Sequence, residues 1–329
     1  MTDKPGSGGL SRRSLLAGAA VAGAVHALPL KAVADVATMG TPGKLKFCVF
    51  SKVLQWADVN QAAAVARDAG FDGVDFTVRA KGHVLPERVE DDLPRAVEAV
   101  RRAGLEVPTI STDITSINSP HAEAILKTAS RLGIGHYRLG GLSYKPDQDI
   151  AQQLDRLKPQ ARALAALNEQ YKICGLYHTH SGPGMIGGPV WDAWLLFAGL
   201  NSRYLGINYD IGHATVEGGY GGWEASSRLV KNSMRGIALK DFFWPAKSKA
   251  AAYAPQWCAM GEGVVDFRGF FSIVKANHFS GPVQIFFEQP LGGAESGATQ
   301  MTISKQELIT AISKDLHYVR EIARSLDMV

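Results

Sequence analysis

The sequence predicts a single α/β domain, a (β/α)8 TIM barrel, over residues 44–329. Three observations carry that prediction. Short β-like runs alternate with Ala/Leu-rich helical runs eight times along the chain. No hairpin signal joins neighbouring strand runs, so parallel strands are expected. No phosphate-binding GxGxxG follows an early strand, as a doubly wound nucleotide-binding sheet would require; "GSGGLSRR" lies at 6–13, ahead of the domain. The 329 residues, 46% of them hydrophobic, suffice for one large core.

The elements follow in order. "KLKFCVF" at 44–50 reads as strand one, and "WADVNQAAAVARDAG" as a helix that Gly70 stops. "FDGVDFTV" at 71–78 is strand two; "ERVEDDLPRAVEAVRRAG" is a helix ending at Gly104. "LEVPTI" is strand three, "SPHAEAILKTASRLG" its helix, and "HYRLGG" at 136–141 strand four. A long polar helix covers 149–170. "YKICGLYHTH" is strand five, and "YLGINYD" at 204–210, after helical "VWDAWLLFAGL", is strand six. "EASSRLVKNSM" leads to strand seven, "RGIALKDFF" at 235–243. "FRGFFSIVKANHF" leads to strand eight, "PVQIFFEQP" at 282–290, and a last helix runs over 305–325. Repeated "AG" or "LG" before the strands reads as helix C-cap glycine.

Ahead of the barrel, "SRRSLLAGAAVAGAVHALPLKAVADVA" closely resembles a twin-arginine export signal. Arg12 and Arg13 precede a short apolar run, Leu15 to Val25, and "AVA" at 32–34 offers a cleavage site. The run is short for a membrane anchor, and His26 and Pro29 interrupt its end. Residues 1–34 are therefore expected to be a twin-arginine signal peptide, 35–43 a linker and 44–329 the barrel. The expected location is the periplasm, with the twin-arginine export machinery as a partner. The net charge of +4 does not argue for nucleic acid. Lys4, Arg12, Arg13 and Lys31 against Asp3 put +3 of it in the leader, and the remaining chain has no dense basic block. Cys48, Cys174 and Cys258 are widely spaced with no CxxC, and the first two lie in apolar runs as buried thiols. A homo-oligomer is compatible with the sequence.

A barrel puts its chemistry at the C-terminal ends of its strands. There the sequence places Asp75 and Thr77 on strand two, Arg138 on strand four, and His178 and His180 on strand five. Asn208, Asp210 and His213 follow on strand six, Lys240 and Asp241 on strand seven, and Glu288 on strand eight. His178 and His180, two apart, point to one face. Glu288 follows three apolar residues and needs a partner. Such His, Asp and Glu groups suit Mn²⁺, Zn²⁺, Co²⁺ or Mg²⁺, and equally proton transfer beside a carbonyl. Structural readings stand beside these. The histidines could be merely hydrogen-bonded, and Glu288, Lys240, Asp241 and Arg138 could form ion pairs. Asp210 could be a helix N-cap, although "IGH" is a poor helix start. His83, in "RAKGHVLPE", could reach a bound sugar. Two Gly-rich stretches, "SGPGMIGGPVWDAW" and "ATVEGGYGGWEA", read as loops whose Trp191, Tyr220 and Trp223, with Trp244, could stack on a sugar ring or simply pack.

"YHTH", "NYDIGHA", "LKDF", "GEGVVDF" at 261–267 and "FFEQ", in that order, resemble the xylose isomerase-like barrel superfamily over roughly 45–325. The nearest likeness is to its sugar phosphate isomerase/epimerase-like group. The resemblance implies a divalent metal ion held by His178, Asp210 and Glu288, with His180 near or bound. It gives Glu288 and His178 acid/base roles and makes Lys240 the stabiliser of an enolate. It makes His213 a substrate contact; the strand ends and loops add His180, Arg138, Asp241, His83 and Trp223 as expected substrate neighbours. Two departures stand out. His178 replaces a family Glu, and Ala238 replaces the strand-seven His ligand. The implied activity is isomerisation or epimerisation of a non-phosphorylated sugar or keto-sugar. A carbon–oxygen lyase and a sugar-binding barrel without catalysis are the alternatives, and the implied partner is a small carbohydrate.

Overall fold

A computed structural model describes residues 1–2, 44–245 and 254–329. The expected signal peptide and linker, beyond Met1 and Thr2, lie outside the described residues. The rest closes into the expected barrel. Its eight parallel strands are β1 (Phe47–Phe50), β2 (Gly73–Val78), β3 (Thr109–Thr112), β4 (His136–Arg138), β5 (Cys174–His178), β6 (Leu205–Asp210), β7 (Met234–Leu239) and β10 (Val283–Ile285). Each pairs with its neighbours in sequence, and β10 closes on β1. The helices are α1 (Val59–Asp68), α2 (Val89–Arg102), α3 (Ala122–Arg131), α4 (Ile150–Gln170), α5 (Trp191–Phe197), α6 (Ile211–Leu229), α7 (Phe267–Ala276) and α8 (Lys305–Ser325).

Local chemistry accounts for the helices. Asp58 and Gln61 form a capping box at α1, and Ser304 and Glu307 another at α8. On α2 the buried residues Val89, Leu93, Ala96, Val97 and Val100 recur at helical spacing, which turns one face onto the sheet. The outward strand residues Val49, Val74, Phe76, Tyr177, Tyr209 and Ile237 are fully buried against these helices.

Two expectations change. Strand seven does not run through to Phe243. It leaves the barrel after Leu239, and β8 (Asp241–Phe243) pairs antiparallel with β9 (Gln256–Cys258). The partner strand lies thirteen residues downstream, beyond the reach of any short-turn signal. The second Gly-rich stretch is not a loop. It lies within α6, which starts directly after Asp210 and breaks only at Gly219 (φ 55°, ψ −139°). Asp210 is its N-cap after all: its Oδ1 accepts from the His213 N–H at 2.8 Å.

Candidate functional site

Strand periodicity selects the inward residues. His178 pairs in register with Asn208, Asp210 with Ala238, and Ala238 with Gln284. The same face therefore carries Asn208 and Asp210 on β6, Ala238 on β7 with Lys240 just after it, and Gln284, Phe286 and Glu288 on and after β10. Phe50, Ala238 and Phe286 form a small apolar floor, with the two rings 4.5 Å apart. His178 stacks on Phe286 at 5.0 Å. Cations surround the floor. Arg138 lies 5.5 Å from the Phe50 ring and Lys240 5.2 Å from that of Phe286.

Below the floor a buried polar chain crosses the barrel. Ser111 Oγ and Gln284 Nε2 donate to Asp75 Oδ2 at 2.8 and 2.5 Å. Asn208 Nδ2 reaches Gln284 Oε1 at 2.5 Å and His178 Nδ1 at 3.1 Å. The carboxylate fixes the direction. While Asp75 is ionised, its negative oxygen takes the Gln284 NH₂, so the Gln284 oxygen faces Asn208. The Asn208 NH₂ then spends its two hydrogens on Gln284 and on His178 Nδ1. The imidazole proton is therefore on Nε2, aimed at Asp210 Oδ2 at 3.4 Å. Burial, resisted by Ser111, Arg138 and Gln284, raises the Asp75 pKa to about 7.

Lys240 is the centre of the upper layer. Its Nζ lies 2.7 Å from His213 Nε2, 3.3 Å from Asp210 Oδ2 and 3.8 Å from Glu288 Oε1. An ammonium only donates, so His213 Nε2 is the acceptor and Nδ1–H donates to Ser181 Oγ at 2.7 Å. Gly212 lets the chain pass: a Cβ there would collide with the Lys240 stem. Burial first, then Lys240 or Arg138, pushes both His178 and His213 well below the usual imidazole range, so both are neutral. Burial raises the Asp210 pKa to about 6, against the pull of Lys240.

Above this layer opens a cavity of about 1190 Å³ at the C-terminal end of the barrel. His180, Ser181, His213, Trp257 and Glu288 line the side that touches the buried layer. His180 donates from Nδ1 to the Ser181 carbonyl at 2.7 Å, which leaves its Nε2 lone pair free. Burial lowers its pKa, and Lys240 lowers it further. Glu288 pairs with Lys52 at 3.4 Å. Burial alone would raise its pKa, but Lys240 and Lys52 outweigh it and hold the carboxyl below its ordinary value.

The structure thus brings together His178, His180, Asp210, His213, Lys240 and Glu288, and sets other expected residues apart. Trp223 is buried within α6, where its carbonyl accepts from the Tyr209 hydroxyl, and it does not reach the cavity. Trp244 does line the cavity. Asp241 points the other way along the strand and takes four backbone N–H groups. His83 is held by Leu54 O at 3.2 Å and packs on Phe76. Arg138 donates to Ser111 and lies over the aromatic floor. Ser181 and Trp257 were not expected. Ser181 follows "YHTH" directly, whereas nothing in "QWC" marks Trp257. Gln284 was legible as a polar residue two before Phe286 in an apolar strand.

The implied ion can now be tested against these residues. Donor atoms of His178, Asp210 and His213, all buried, lie within 4.8 Å of one another, a spacing that could hold a metal. Glu288 and His180 are outside that group; Glu288 is drawn to the lysines and His180 to the Ser181 carbonyl. The bonding is less favourable than the spacing. His178 Nε2 carries a proton, the His213 Nε2 lone pair is given to Lys240, and Ala238 offers no donor. Of the trio's fully buried polar atoms only Asp210 Oδ2 lacks a hydrogen bond, and it faces the Lys240 ammonium at 3.3 Å. As bonded, these residues do not fit a resident divalent ion.

Comparisons with known proteins agree with the fold. No curated protein matches the sequence. The 3-keto-D-glucoside 4-epimerase YcjR from E. coli superposes with a TM-score of 0.61 at 13% identity, over 84% of this chain and 100% of that one. The IOLI protein with a bound zinc atom gives 0.64 at 14% identity, over 85% and 99%. A D-allulose 3-epimerase from Methylomonas sp. gives 0.60 at 15% identity, over 85% and 99%. At these identities the likeness is one of fold. The sequence family described as xylose isomerase-like TIM barrel matches residues 63–303, most of the barrel. The chain belongs to the xylose isomerase-like TIM barrel family.

Proposed function

We propose that this chain is a sugar isomerase or epimerase that moves a proton beside the carbonyl of a non-phosphorylated sugar or keto-sugar, through an enolate. One observation carries the reading: two bases held in different ways line one cavity, above a buried cation. Glu288 is kept ionised by Lys240 and Lys52, and His180 is kept neutral with Nε2 free. The Glu288 carboxylate takes the proton from the substrate carbon, and the electron pair of the broken C–H bond passes to the carbonyl oxygen. Return of that proton to the neighbouring carbon, while the proton of the adjacent hydroxyl passes to the former carbonyl oxygen, makes the hydroxyl carbon the new carbonyl and isomerises the sugar. Delivery of a proton to the opposite face by His180, drawn from water in the cavity, epimerises it, and Glu288 then releases its own proton to water. The Lys240 charge beneath them favours the developing enolate, and His213 is placed to hold a hydroxyl. The sugar substrates of the two epimerases of like fold support a carbohydrate in the cavity.

The test is solvent exchange. Free ketoses, aldoses and 3-keto-glycosides are incubated with the enzyme in heavy water and read by NMR. Deuterium is expected at the carbon beside the carbonyl of at least one of them. Binding of a sugar with no exchange would make the barrel a carrier; release of water or an alcohol would make it a lyase.

Export is the second part of the reading, and it rests on the leader. The mature protein begins near Asp35 in the periplasm. With Lys at both Arg12 and Arg13, the precursor should stay in the cytoplasm. Normal export of that double variant would overturn the twin-arginine assignment.

A further inference from the structure

We propose that the Lys240 ammonium is the built-in cation of this site, in the place of a metal ion. The inference rests on the reading of the site above, but its main test does not. Three observations converge on it. The first is direction. A neutral imidazole nitrogen has one lone pair, and Lys240 Nζ lies on that of His213 Nε2 at 2.7 Å. A zinc ion on the same lone pair would stand about 2.0–2.1 Å out, on the same line, and overlap the ammonium. The second is the proton on His178 Nε2. It is set by the chain from Asp75 through Gln284 and Asn208, not by any group near the mouth. That nitrogen offers a hydrogen to Asp210 and no lone pair to an ion.

The third is charge. Asp210 and Glu288 bring two negative charges to the centre. Lys240 and Lys52 lie within 4 Å of one or both of them and balance these. A divalent ion would leave an excess of two positive charges in a layer where Lys240 and Asp210 are almost fully buried. Ala238 completes the picture. The strand-seven position at which the family carries its His ligand is a methyl group, packed with Phe50 and Phe286.

Calorimetric titration of Mn²⁺, Co²⁺ and Zn²⁺ into the purified protein tests this, with elemental analysis of protein prepared without chelator. Wild type should hold less than about one ion in ten chains. Lys240→Met keeps the stem and removes the charge, which frees His213 Nε2 and Asp210 Oδ2. It should bind one ion per chain about a hundredfold more tightly than wild type, the size expected when a cation in direct contact is removed. Cobalt should then give the visible absorption of a nitrogen–oxygen site, and Asp210→Asn in the Lys240→Met background should abolish it. A stoichiometric ion in wild type that Lys240→Met leaves unchanged would overturn the proposal. So would a folded Lys240→Met protein that binds no ion, because His213 Nε2 and Asp210 Oδ2 would then not be a cation site at all. If wild-type exchange is detected, it should survive a chelator within a factor of about two; loss of exchange on chelation would likewise overturn the proposal. A failure to find any exchanging sugar would sink the functional reading and leave the titration result standing.

Discussion

Glu288→Gln lowers deuterium exchange at the substrate carbon by about 10²–10⁴-fold, the usual cost of removing a general base, and leaves the protein folded. The substitution is isosteric, and the side chain is 29% exposed at the edge of the cavity rather than in the core. Its partners are two lysines, so the amide loses two ion pairs but creates no buried unpaired carboxylate. Wild-type exchange should also carry the signature of a depressed carboxyl. Lys240 and Lys52 keep Glu288 ionised below its ordinary pKa. The rate should therefore be flat through neutrality and fall only as the pH drops through that lowered value. In Glu288→Gln the acid limb disappears. Exchange at the wild-type rate in the variant would remove Glu288 from the reaction and pass the base to His180, whose Nε2 is the other free acceptor described at the cavity wall. The melting temperature of the variant, measured alongside, separates a chemical loss from a folding loss.

Much of this site was legible from strand ends alone. His178, Asp210, Lys240 and Glu288 each close an apolar run, and a barrel gathers such ends at one mouth wherever they fall in the chain. What could not be read was which neighbour each would choose. Asp210 looked like a ligand or a cap; it is the cap, with one oxygen taking the His213 N–H and the other facing Lys240 and His178. The tautomer of His178 depends on Asp75, on the far side of the barrel. No spacing in the sequence announces that chain, since its members come from four strands. Trp223 misled because "GGYGGW" reads as a loop, whereas helix α6 absorbs five of its surrounding glycines with one break, at Gly219. The antiparallel pair β8–β9 was hidden for a different reason. "RGIALKDFF" is one uninterrupted β-like run, and the change of partner after Leu239 is a tertiary event. Asp241 is the residue that enforces it.

Asp241→Ala should be the most destabilising single change near the mouth, at about 3–5 kcal/mol. For a domain of this size that is a fall of roughly 6–15 °C in melting temperature. Asp241 is 2% exposed. Its Oδ1 accepts from the N–H groups of Phe242 and Val265 at 2.9 and 3.1 Å, and its Oδ2 from those of Gly261 and Gly263 at 2.9 and 3.0 Å. One carboxylate thus satisfies four main-chain donors, Phe242 on β8 and three in the turn that returns from β9 to α7. Alanine strands all four at once, and the buried donors of Phe242 and Val265, left without acceptors, cost far more than a hydrogen bond gains. The glycines belong to the same device. Gly261 has φ 86°, and a Cβ on Gly263 would collide with the Asp241 carboxylate and the Phe242 carbonyl. This explains "GEGVVDF" without any substrate. The motif is a backbone nest for an aspartate, and its effect on chemistry is indirect, through Trp257 on β9, whose ring lies 4.9 Å from Lys240. Asp241→Asn, which keeps one oxygen, should lose about half as much stability, and sugar affinity should follow the folded fraction in both variants. An Asp241→Ala protein that melts with wild type but no longer binds sugar would instead return Asp241 to the substrate.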